Sequence, residues 1–230
     1  MSDFRLPLAP YAWREVILFS LAPLLISLGL VVWWAIGGPG WLGVVGAAGA
    51  VASAGVAAFF RDPTRWPPQG EEKVLAPADG KIVGVDEIDR DDYLGEKGVE
   101  IDIFLSIFNA HVNRSPVSGV VEEITYRKGS FLSALRPSAV RVNEQNSISI
   151  QGEGYRVIVR QIAGAVARRI VCACKKGDSL ERGERIGMIK FGSRTQVLLP
   201  ASVFQPAVKP GDRVKAGISV IGTIRREEPS

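Results

Sequence analysis

The chain has very few of the residues that bind metals or form disulfides. Its 230 residues include one histidine and two cysteines, Cys172 and Cys174. A tetrahedral zinc site takes four ligands, which excludes one built from histidine and cysteine alone. The cysteines stand two positions apart in a strand-like run, where such close neighbours rarely meet disulfide geometry. We predict that both are small apolar strand residues, in a protein of a reducing compartment.

Charge is missing from one long segment and is not clustered elsewhere. From Val16 to Phe60 the sequence has no Asp, Glu, Lys, Arg or His. The net charge is a modest +4, with no cluster of basic residues interleaved with aromatics. That pattern argues against nucleic-acid binding. Basic residues flank the charge-free segment instead, which suits an anionic lipid surface.

The charge-free segment divides at the turn signal Gly37-Gly38-Pro39-Gly40 into apolar runs at 16–36 and 41–60. Each run has about the 20 residues that a helix needs to cross a bilayer core of ~30 Å. We predict a membrane-anchoring helical hairpin within residues 1–66, since a cleaved signal peptide would not be followed at once by a second apolar run. Pro23 and the glycines weaken the helices, so a spanning and a re-entrant hairpin both remain open.

Aromatic and basic residues mark the ends of the predicted hairpin. Tryptophans lie where interfacial belts would place them: Trp33, Trp34 and Trp41 near the loop, Trp13 and Trp66 near the outer ends. Arg5 and Arg14 precede the hairpin, and Arg61 and Arg65 follow it. The positive-inside rule places both ends in the cytoplasm. We therefore expect the following domain on the cytoplasmic face of the inner membrane.

Residues 67–230 have the pattern of a β-rich domain. Short runs with β-branched residues alternate with Gly, Pro and Asp, which predicts strands joined by turns. The predicted strands are 81–85, 99–108, 119–126, 147–150, 155–162, 169–173, 185–190, 196–199 and 217–224. Helical periodicity is almost absent, and a short helix is predicted only at 129–135.

Two internal echoes refine the predicted fold. Pro77 to Ile82 resembles Pro116 to Val121, and Gly177 to Gly183 resembles Gly211 to Gly217. In the second echo, Gly supplies a turn with positive φ and Asp caps the turned backbone. This pattern is similar to that of lipoyl and biotin-carrier domains, and it predicts a mainly β fold, a small barrel or sandwich with hairpin pseudo-repeats. The lysine tripeptide of the carriers is absent, so carrier function is not implied.

Three side chains are candidates for chemistry. His111 is the one histidine, in a polar segment after an apolar run, and imidazole is the side chain that titrates near neutral pH. Asp79 precedes a predicted strand and can orient a histidine, although an Asp-Gly pair is also an ordinary turn. Ser193 follows Gly192, whose lack of a side chain leaves its carbonyl open to an attacking hydroxyl.

Together these segments resemble the phosphatidylserine decarboxylase family, in its short, membrane-anchored bacterial form. The resemblance covers nearly the whole chain and rests on the order of the motifs along it. The motifs are Pro77-Ala78-Asp79-Gly80, Phe108-Asn109-Ala110-His111-Val112-Asn113-Arg114-Ser115-Pro116, Gly129-Ser130-Phe131, Asn143-Glu144-Gln145-Asn146 and Phe191-Gly192-Ser193.

The resemblance implies a self-processing enzyme. Ser193 would attack the Gly192 carbonyl, leaving a large chain 1–192 and a small chain 193–230 that begins with a pyruvoyl group made from Ser193. His111 would act as the base and Asp79 as its orienting carboxylate. The pyruvoyl group would form a Schiff base with phosphatidylserine, and loss of carbon dioxide would give phosphatidylethanolamine. No metal is implied, and a homo-oligomer is left open.

The chain departs from the family pattern at two places. Many bacterial relatives have Leu-Gly-Ser-Thr at the cleavage site, where this chain has Phe191 and Arg194. Longer relatives have a second histidine where this chain has Arg114. Either His111 serves both self-processing and decarboxylation, or another group takes one of the two roles.

Two other functions remain as alternatives. A serine hydrolase with the triad Ser193, His111 and Asp79 would need its nucleophile at a strand-to-helix elbow, whereas a strand-like run follows Ser193. A membrane-tethered adaptor on a lipoyl-like domain would suit the echoes but would not need His111 or the Gly-Ser pair. Both predict an uncut chain.

Overall fold

A computed structural model describes residues 8–91, 93–165, 169–190 and 193–225. The chain divides into two compact units, Met1–Thr64 and Arg65–Ser230. The first unit is helical and the second is built mainly from antiparallel strands. The predicted fold class, a mainly β domain preceded by an apolar helical hairpin, is confirmed.

The first unit is a pair of apolar helices. It begins with α1 (Trp13–Val16), a π-helical turn (Ile17–Leu21) and α2 (Ala22–Ala35), and it ends with α3 (Gly40–Phe59). The π-helical turn precedes Pro23, and such a turn makes room for a ring that would clash with the preceding helical turn. The segments Trp13–Ala35 and Gly40–Phe59 are each long and apolar enough to cross a membrane.

Small residues let the two long helices pack closely. A Cβ on Gly46 would lie 2.7 Å from the carbonyl oxygen of Ser27, and one on Gly43 would lie 2.7 Å from the ring of Trp34. The hydroxyl of Ser20 donates to the carbonyl of Ser53 across the pair, at 2.8 Å. Small residues and shared hydroxyls are typical of helices that associate in a bilayer.

The second unit contains one eight-stranded sheet and two three-stranded sheets, all antiparallel. The strands are β1 (Lys73–Leu75), β2 (Gly80–Ile88), β3 (Gly98–Leu105), β4 (Val112–Arg114), β5 (Gly119–Arg127), β6 (Gln145–Gln151), β7 (Arg156–Ile162), β8 (Ile170–Cys172), β9 (Ser179–Leu180), β10 (Arg185–Ile189), β11 (Ser193–Pro200), β12 (Phe204–Pro206), β13 (Arg213–Val214) and β14 (Val220–Ile224). The large sheet has the order β13-β2-β3-β11-β7-β6-β5-β9, and the small sheets are β1-β14-β12 and β4-β10-β8.

The strand order shows an internal two-fold repeat. Read from its two ends towards the central β11-β7 pair, the large sheet runs β13-β2-β3-β11 on one side and β9-β5-β6-β7 on the other. The small sheets match in the same way, β1 with β4, β14 with β10 and β12 with β8. One half of the repeat, β4 to β10, is continuous in sequence, and it is inserted between β3 and β11 of the other half.

Individual hydrogen bonds follow the repeat. The β2-β3 ladder shifts register between Ile82 and Gly84, and the β5-β6 ladder shifts between Val121 and Glu123. The Gly-Asp turns are capped alike, with Lys175 N donating to Asp178 Oδ2 and Lys209 N donating to Asp212 Oδ2, each at 2.9 Å. Both sequence echoes are therefore matching hairpin elements of one duplicated unit.

The core lies on one face of the large sheet. Ile101, Ile103, Val159, Val197 and Ile148 are fully buried there, from four neighbouring strands. Burying such side chains stabilises the fold by roughly 1.5–3 kcal/mol each. The opposite face carries polar residues, so the strands alternate as a sheet with one core face requires.

The predicted helix at 129–135 is wrong. The backbone of Ser130 pairs with Val142 and Glu144, and the Asn143 side chain accepts from Leu132 N at 2.9 Å and donates to Leu132 O at 2.8 Å. These lateral bonds occupy groups that a helix would use internally. The short helix α4 forms later, at Ala139–Val142.

Candidate active site

One end of the large sheet gathers the predicted site residues. Ser193 is the first residue of β11 and pairs with Leu105, the last residue of β3. Asp79 directly precedes β2, in which Lys81 pairs with Phe104 of β3. Strands lie about 4.8 Å apart, which puts the backbones of Asp79 and Ser193 about 10 Å from each other. Gly192 lies outside the described residues.

Ser193 is fully buried, and its hydroxyl is not held by a neighbour. The Oγ atom has no hydrogen-bond partner among the described residues. Because strand side chains alternate, Thr195 shares its face while Arg194 points to the opposite one. There Arg194 Nη1 lies 3.5 Å from Asp102 Oδ2. An arginine beside the serine is thus accommodated without entering the site.

His111 is also fully buried and is tied to the same end of the sheet. Ile189 N donates to its carbonyl at 3.3 Å, and two residues later Asn113 Nδ2 donates to Thr195 Oγ1 at 3.2 Å. The ring Nδ1 is 2.9 Å from the carbonyl oxygen of Asn109. A carbonyl can only accept, so Nδ1 carries the proton and Nε2 is the basic nitrogen.

Asp79 is held by an arginine and a backbone amide. Its Oδ1 accepts from Ala216 N and its Oδ2 from Arg65 Nη2, both at 2.8 Å. The side chains of Arg65 and Asp79 are only 8% and 10% exposed. The Nδ1 side of the His111 ring faces the carbonyl of Asn109. The expected contact between Asp79 and His111 stays a prediction.

The internal repeat gives each site residue a counterpart in the other half. Glu72 corresponds to His111, since Ile224 N donates to its carbonyl as Ile189 N does to that of His111. Ser118 corresponds to Asp79, because its Oγ accepts from Arg182 N as Asp79 Oδ1 does from Ala216 N.

The counterpart of Ser193 follows from the sheet register. Lys81 pairs with Phe104, which pairs with Arg194. In the other half, Val120 pairs with Gln151, which pairs with Arg156. Arg194 thus matches Arg156, and the Gly192-Ser193 pair matches Gly154-Tyr155.

The counterparts meet in a single cleft. A cleft of about 850 Å³ is lined by Glu72, Ser118, Gly154 and Tyr155, among others. The repeat relates this cleft to the end of the sheet where β11 begins. Asp79, His111 and Ser193 thus occupy positions that match three residues lining this cleft.

A layer of buried amides closes the core beneath the site. Gln161 Nε2 donates to Asn113 Oδ1 at 2.9 Å, and Asn146 Nδ2 donates to Gln161 Oε1 at 3.0 Å. With the bond from Asn113 to Thr195, these side chains form a continuous chain that ends two residues from Ser193. Sequence reasoning missed it, although Asn113 and Asn146 lie in the quoted motifs, because their partners are far apart in sequence.

Arg114 has a structural position. Its backbone N donates to the carbonyl of Pro77 at 2.9 Å, and its Nη1 donates to the carbonyl of Gly183 at 3.0 Å. The side chain is buried. A guanidinium stays protonated in proteins and cannot exchange a proton as a catalyst must. Arg114 therefore does not replace a second histidine.

The polar face of the sheet carries a buried acidic pair near the site. Burial, with a smaller contribution from Asp102, raises the pKa of Glu100 to about 7. Burial also raises the pKa of Asp102, while Arg194 opposes the shift. Gln196 Nε2 donates to Glu100 Oε1 at 2.7 Å. The corresponding positions in the other half are Ser147 and Ser149.

The loops at this end of the sheet expose apolar and basic side chains. Ile107 and Phe108, between β3 and β4, are 52% and 80% exposed, and Leu135 and Val142 in the segment before β6 are 60% and 43% exposed. That segment lies at the same end, because Gln145 pairs with Ile162, which pairs with Arg194. Exposed basic residues accompany them, namely Arg127, Lys128, Arg136 and Arg141.

Metal ligation has no candidate in the described ranges. Within them, no group of three or more His, Cys, Asp or Glu side chains is placed to hold an ion. The chemistry available at this end of the sheet is that of a hydroxyl, an imidazole and a carboxylate.

Known proteins match the chain over most of its length. The sequence profile described as phosphatidylserine decarboxylase matches residues 53–222. A phosphatidylserine decarboxylase proenzyme of Carboxydothermus hydrogenoformans is 47% identical over 167 residues, which is 73% of this chain and 78% of that protein. The proenzyme of the same name from Symbiobacterium thermophilum is 43% identical over 234 residues, covering 97% and 99%.

The similarity includes both units in some relatives. A phosphatidylserine decarboxylase proenzyme of Cupriavidus pinatubonensis is 40% identical over 206 residues, which is 89% of each chain. The residues that the profile matches include Asp79, His111 and Ser193. The chain belongs to the phosphatidylserine decarboxylase family of carboxy-lyases.

Proposed function

We propose that this chain is a membrane-anchored phosphatidylserine decarboxylase that cuts itself between Gly192 and Ser193 and uses a pyruvoyl group made from that serine. The observation that carries the proposal is the position of Ser193. Its hydroxyl is buried at the start of β11, without a hydrogen-bond partner among the described residues, at the end of the sheet that holds His111. Family membership supplies the reaction class.

Self-cleavage would begin with the serine hydroxyl. Oγ attacks the Gly192 carbonyl carbon as its proton passes to His111 Nε2, and the peptide nitrogen leaves, which converts the amide to an ester. Elimination then releases the Gly192 carboxylate and leaves a dehydroalanine at position 193. Tautomerisation to an imine and hydrolysis by one water release ammonia and leave the pyruvoyl group. The fixed proton on His111 Nδ1 keeps Nε2 available for the first transfer.

Asp79 and Arg65 would act on this step through charge and position. The carboxylate sits at the head of β2, bonded to Arg65 and Ala216 N. A fixed negative charge at this end of the sheet stabilises the imidazolium that forms when His111 takes the serine proton. We place Asp79 as a positioning residue, with Arg65 as its partner.

In the mature enzyme the pyruvoyl group supplies an electrophilic carbonyl that acts as an electron sink for loss of carbon dioxide. His111 would then hold the proton that the substrate carbon needs. Because Arg114 cannot serve as an acid or base, we assign both roles to His111. The buried amide layer below Ser193 excludes water from the core side of the site.

The rim of the site suits a lipid substrate. Ile107, Phe108, Leu135 and Val142 expose apolar surface at the Ser193 end, with basic residues around them. Apolar side chains that enter the interface and cations that meet anionic headgroups are the features of a surface that lies on a membrane. We propose that this end faces the cytoplasmic leaflet, while the hairpin of residues 8–64 anchors the chain.

Intact mass spectrometry of the purified protein tests the proposal. The wild-type protein is expected to give two chains, the smaller beginning at position 193 and blocked as pyruvoyl. Ser193→Ala should give one uncut chain, whereas Ser202→Ala, at an exposed serine, should be cut like the wild type. The wild-type preparation should release carbon dioxide from vesicles that contain phosphatidylserine. A folded wild-type protein that stays uncut would overturn the mechanism in favour of the adaptor or the hydrolase.

A further inference from the structure

The two cysteines of the chain lie side by side near the amide layer of the site. Their Sγ atoms are 3.7 Å apart, and both residues are half-buried and free. Strand β8 ends at Cys172, so Cys174 lies beyond the strand. Ala173 N donates to the carbonyl of Ile186 at 2.9 Å, so the segment stays beside β10. The short distance between the two sulfurs goes against the expectation that cysteines two positions apart rarely meet disulfide geometry.

The two thiols differ in acidity because each affects the other. The hydrogen bond with the Cys174 side chain lowers the pKa of Cys172 below the usual range of a thiol. The same hydrogen bond raises the pKa of Cys174. A nucleophilic thiolate beside a protonated partner is the arrangement in which one sulfur attacks a disulfide and the second resolves the product.

Strand β8, which ends at Cys172, is joined to a strand that holds His111. Cys172 pairs with Gly187 of β10, and Ile189 N of β10 donates to the carbonyl of His111 at 3.3 Å. Asn146 also contributes to the lowered pKa of Cys172. Asn146 bonds to Gln161 at 3.0 Å, and the chain continues through Asn113 to Thr195.

We propose that Cys172 and Cys174 form a redox modification site, which a small disulfide such as oxidised glutathione converts to an intrachain disulfide, and that this modification slows the reaction at Ser193. The second part rests on the proposed function. A disulfide brings two sulfurs to about 2 Å. Closing the present gap therefore shifts Cys172 at the end of β8, a strand that pairs with β10 and is linked through β10 to the carbonyl of His111.

The reaction balances with oxidised glutathione as the oxidant. The Cys172 thiolate attacks one sulfur of glutathione disulfide, and one glutathione leaves as a thiolate. Cys174 then loses its proton to solvent and attacks the Cys172 sulfur of the mixed disulfide, releasing the second glutathione. The two cysteines lose two electrons together, and glutathione disulfide gains them.

The test treats the purified full-length protein with oxidised glutathione, blocks remaining thiols with N-ethylmaleimide and measures intact mass. The wild type is expected to lose two hydrogens and to take up no N-ethylmaleimide at these positions. Cys174→Ser should stop at a glutathione adduct on Cys172, formed about tenfold faster at pH 7 than the adduct of Cys172→Ser. Dithiothreitol should reverse every product.

Decarboxylation is measured on the same samples. We expect the rate of the oxidised wild type to fall two- to fivefold and to recover with dithiothreitol, while the double variant Cys172→Ser/Cys174→Ser, which has no thiol to oxidise, keeps its rate under the same treatment. A wild type that forms only mixed adducts, or none, overturns the proposal. A disulfide with an unchanged rate overturns the link to Ser193. Failure of the proposed function itself would appear separately, as no decarboxylation before any oxidant is added.

Discussion

The two ends of the large sheet share a backbone plan but differ in chemistry. Where one end has His111, Asp79 and Ser193, the other has Glu72, Ser118 and Tyr155 at matching positions. The hydrogen bonds that shape the backbone occur at both ends. Ser118 accepts from a backbone N–H at one end, as Asp79 does at the other. Backbone geometry alone therefore does not make a site, since at the matching positions one end has a serine, a histidine and an ion-paired aspartate, and the other has a tyrosine, a glutamate and a serine.

Removing the base should have the largest effect. His111→Gln keeps a side chain that can hydrogen bond but has no basic nitrogen, so self-cleavage should slow by about 100-fold or more. The matched change at the other end, Glu72→Gln, should leave cleavage unchanged. Time courses of chain cleavage by gel and mass spectrometry provide the measurement. Equal effects of the two variants would contradict the assignment of the site to the His111 end.

Exchanging Asp79 for its counterpart should have the next largest effect. Asp79→Ser can still cap Ala216 N, as Ser118 caps Arg182 N, but it leaves the buried Arg65 without its carboxylate. Losing one partner of a buried ion pair destabilises by roughly 3–5 kcal/mol.

Cleavage should slow by about tenfold or more in this variant, because the imidazolium loses a nearby charge. Chemical denaturation measures the stability, and cleavage rates measure the function. Arg65→Met with Asp79→Ser should recover part of the stability but not of the cleavage. Recovery of both would make the ion pair purely structural.

The loops at the two ends differ in exposed apolar surface, and this predicts a smaller effect. The loop before His111 exposes Ile107 and Phe108, whereas the loop at 152–155 carries Gly152, Glu153 and Gly154. Phe108→Ser should lower the rate on phosphatidylserine in anionic vesicles by about threefold to tenfold, because an apolar contact with the interface is lost. The rate of this variant on a short-chain, soluble substrate should equal that of the wild type. A loss on both substrates would indicate damage to the site instead.

The smallest expected effect is a change in stability, and it concerns the polar face of the large sheet. Glu100 lies where the other half has Ser147, and its pKa is raised from 4.5 to about 7. Since the folded state binds this proton more tightly than the unfolded chain, ionising Glu100 opposes folding. Stability should therefore decrease as the pH rises from about 4.5 through about 7.

Glu100→Gln removes that ionisation and keeps an oxygen for Gln196. The variant should be more stable than the wild type by about 1–3 kcal/mol at pH 8 and nearly equal to it at pH 4.5. Denaturation midpoints at the two pH values check this, with the exposed Glu87→Gln as the control. A gain that is the same at both pH values would assign the effect to packing.

The sequence predicted those features that depend on local pattern. The apolar runs predicted the helices of the first unit, and each of the nine predicted strands has at least one end within three residues of the matching end of a strand in the structure. The short strands β1, β4, β9, β12 and β13 were missed, since two or three residues carry too little periodicity. The helix at 129–135 was wrong because Asn143, distant in sequence, binds that backbone.

The site residues and the contacts among them differ in how far the sequence predicts them. The order of the motifs identified Ser193, His111 and Asp79 as candidates, because each lies in a short, recognisable segment. The contact of His111 with Asn109, the pair of Arg65 with Asp79 and the chain from Asn113 to Gln161 were not predictable. The first depends on the conformation of the loop before β4, and the other two join residues that are apart in sequence and meet only in the folded domain.

By itself, the sequence determined the composition of the chain, its division into an apolar hairpin and a β-rich domain, and the presence of one histidine and of the Gly192-Ser193 pair in a family pattern. The tertiary structure decided which of these groups meet. It bound Asp79 to Arg65 and turned Arg194 away from Ser193. It also placed Cys172 beside Cys174. The physical reason is that the sequence gives the type of each side chain position by position. The hydrogen bonding, burial and pKa of that side chain depend on neighbours that only strand pairing brings together.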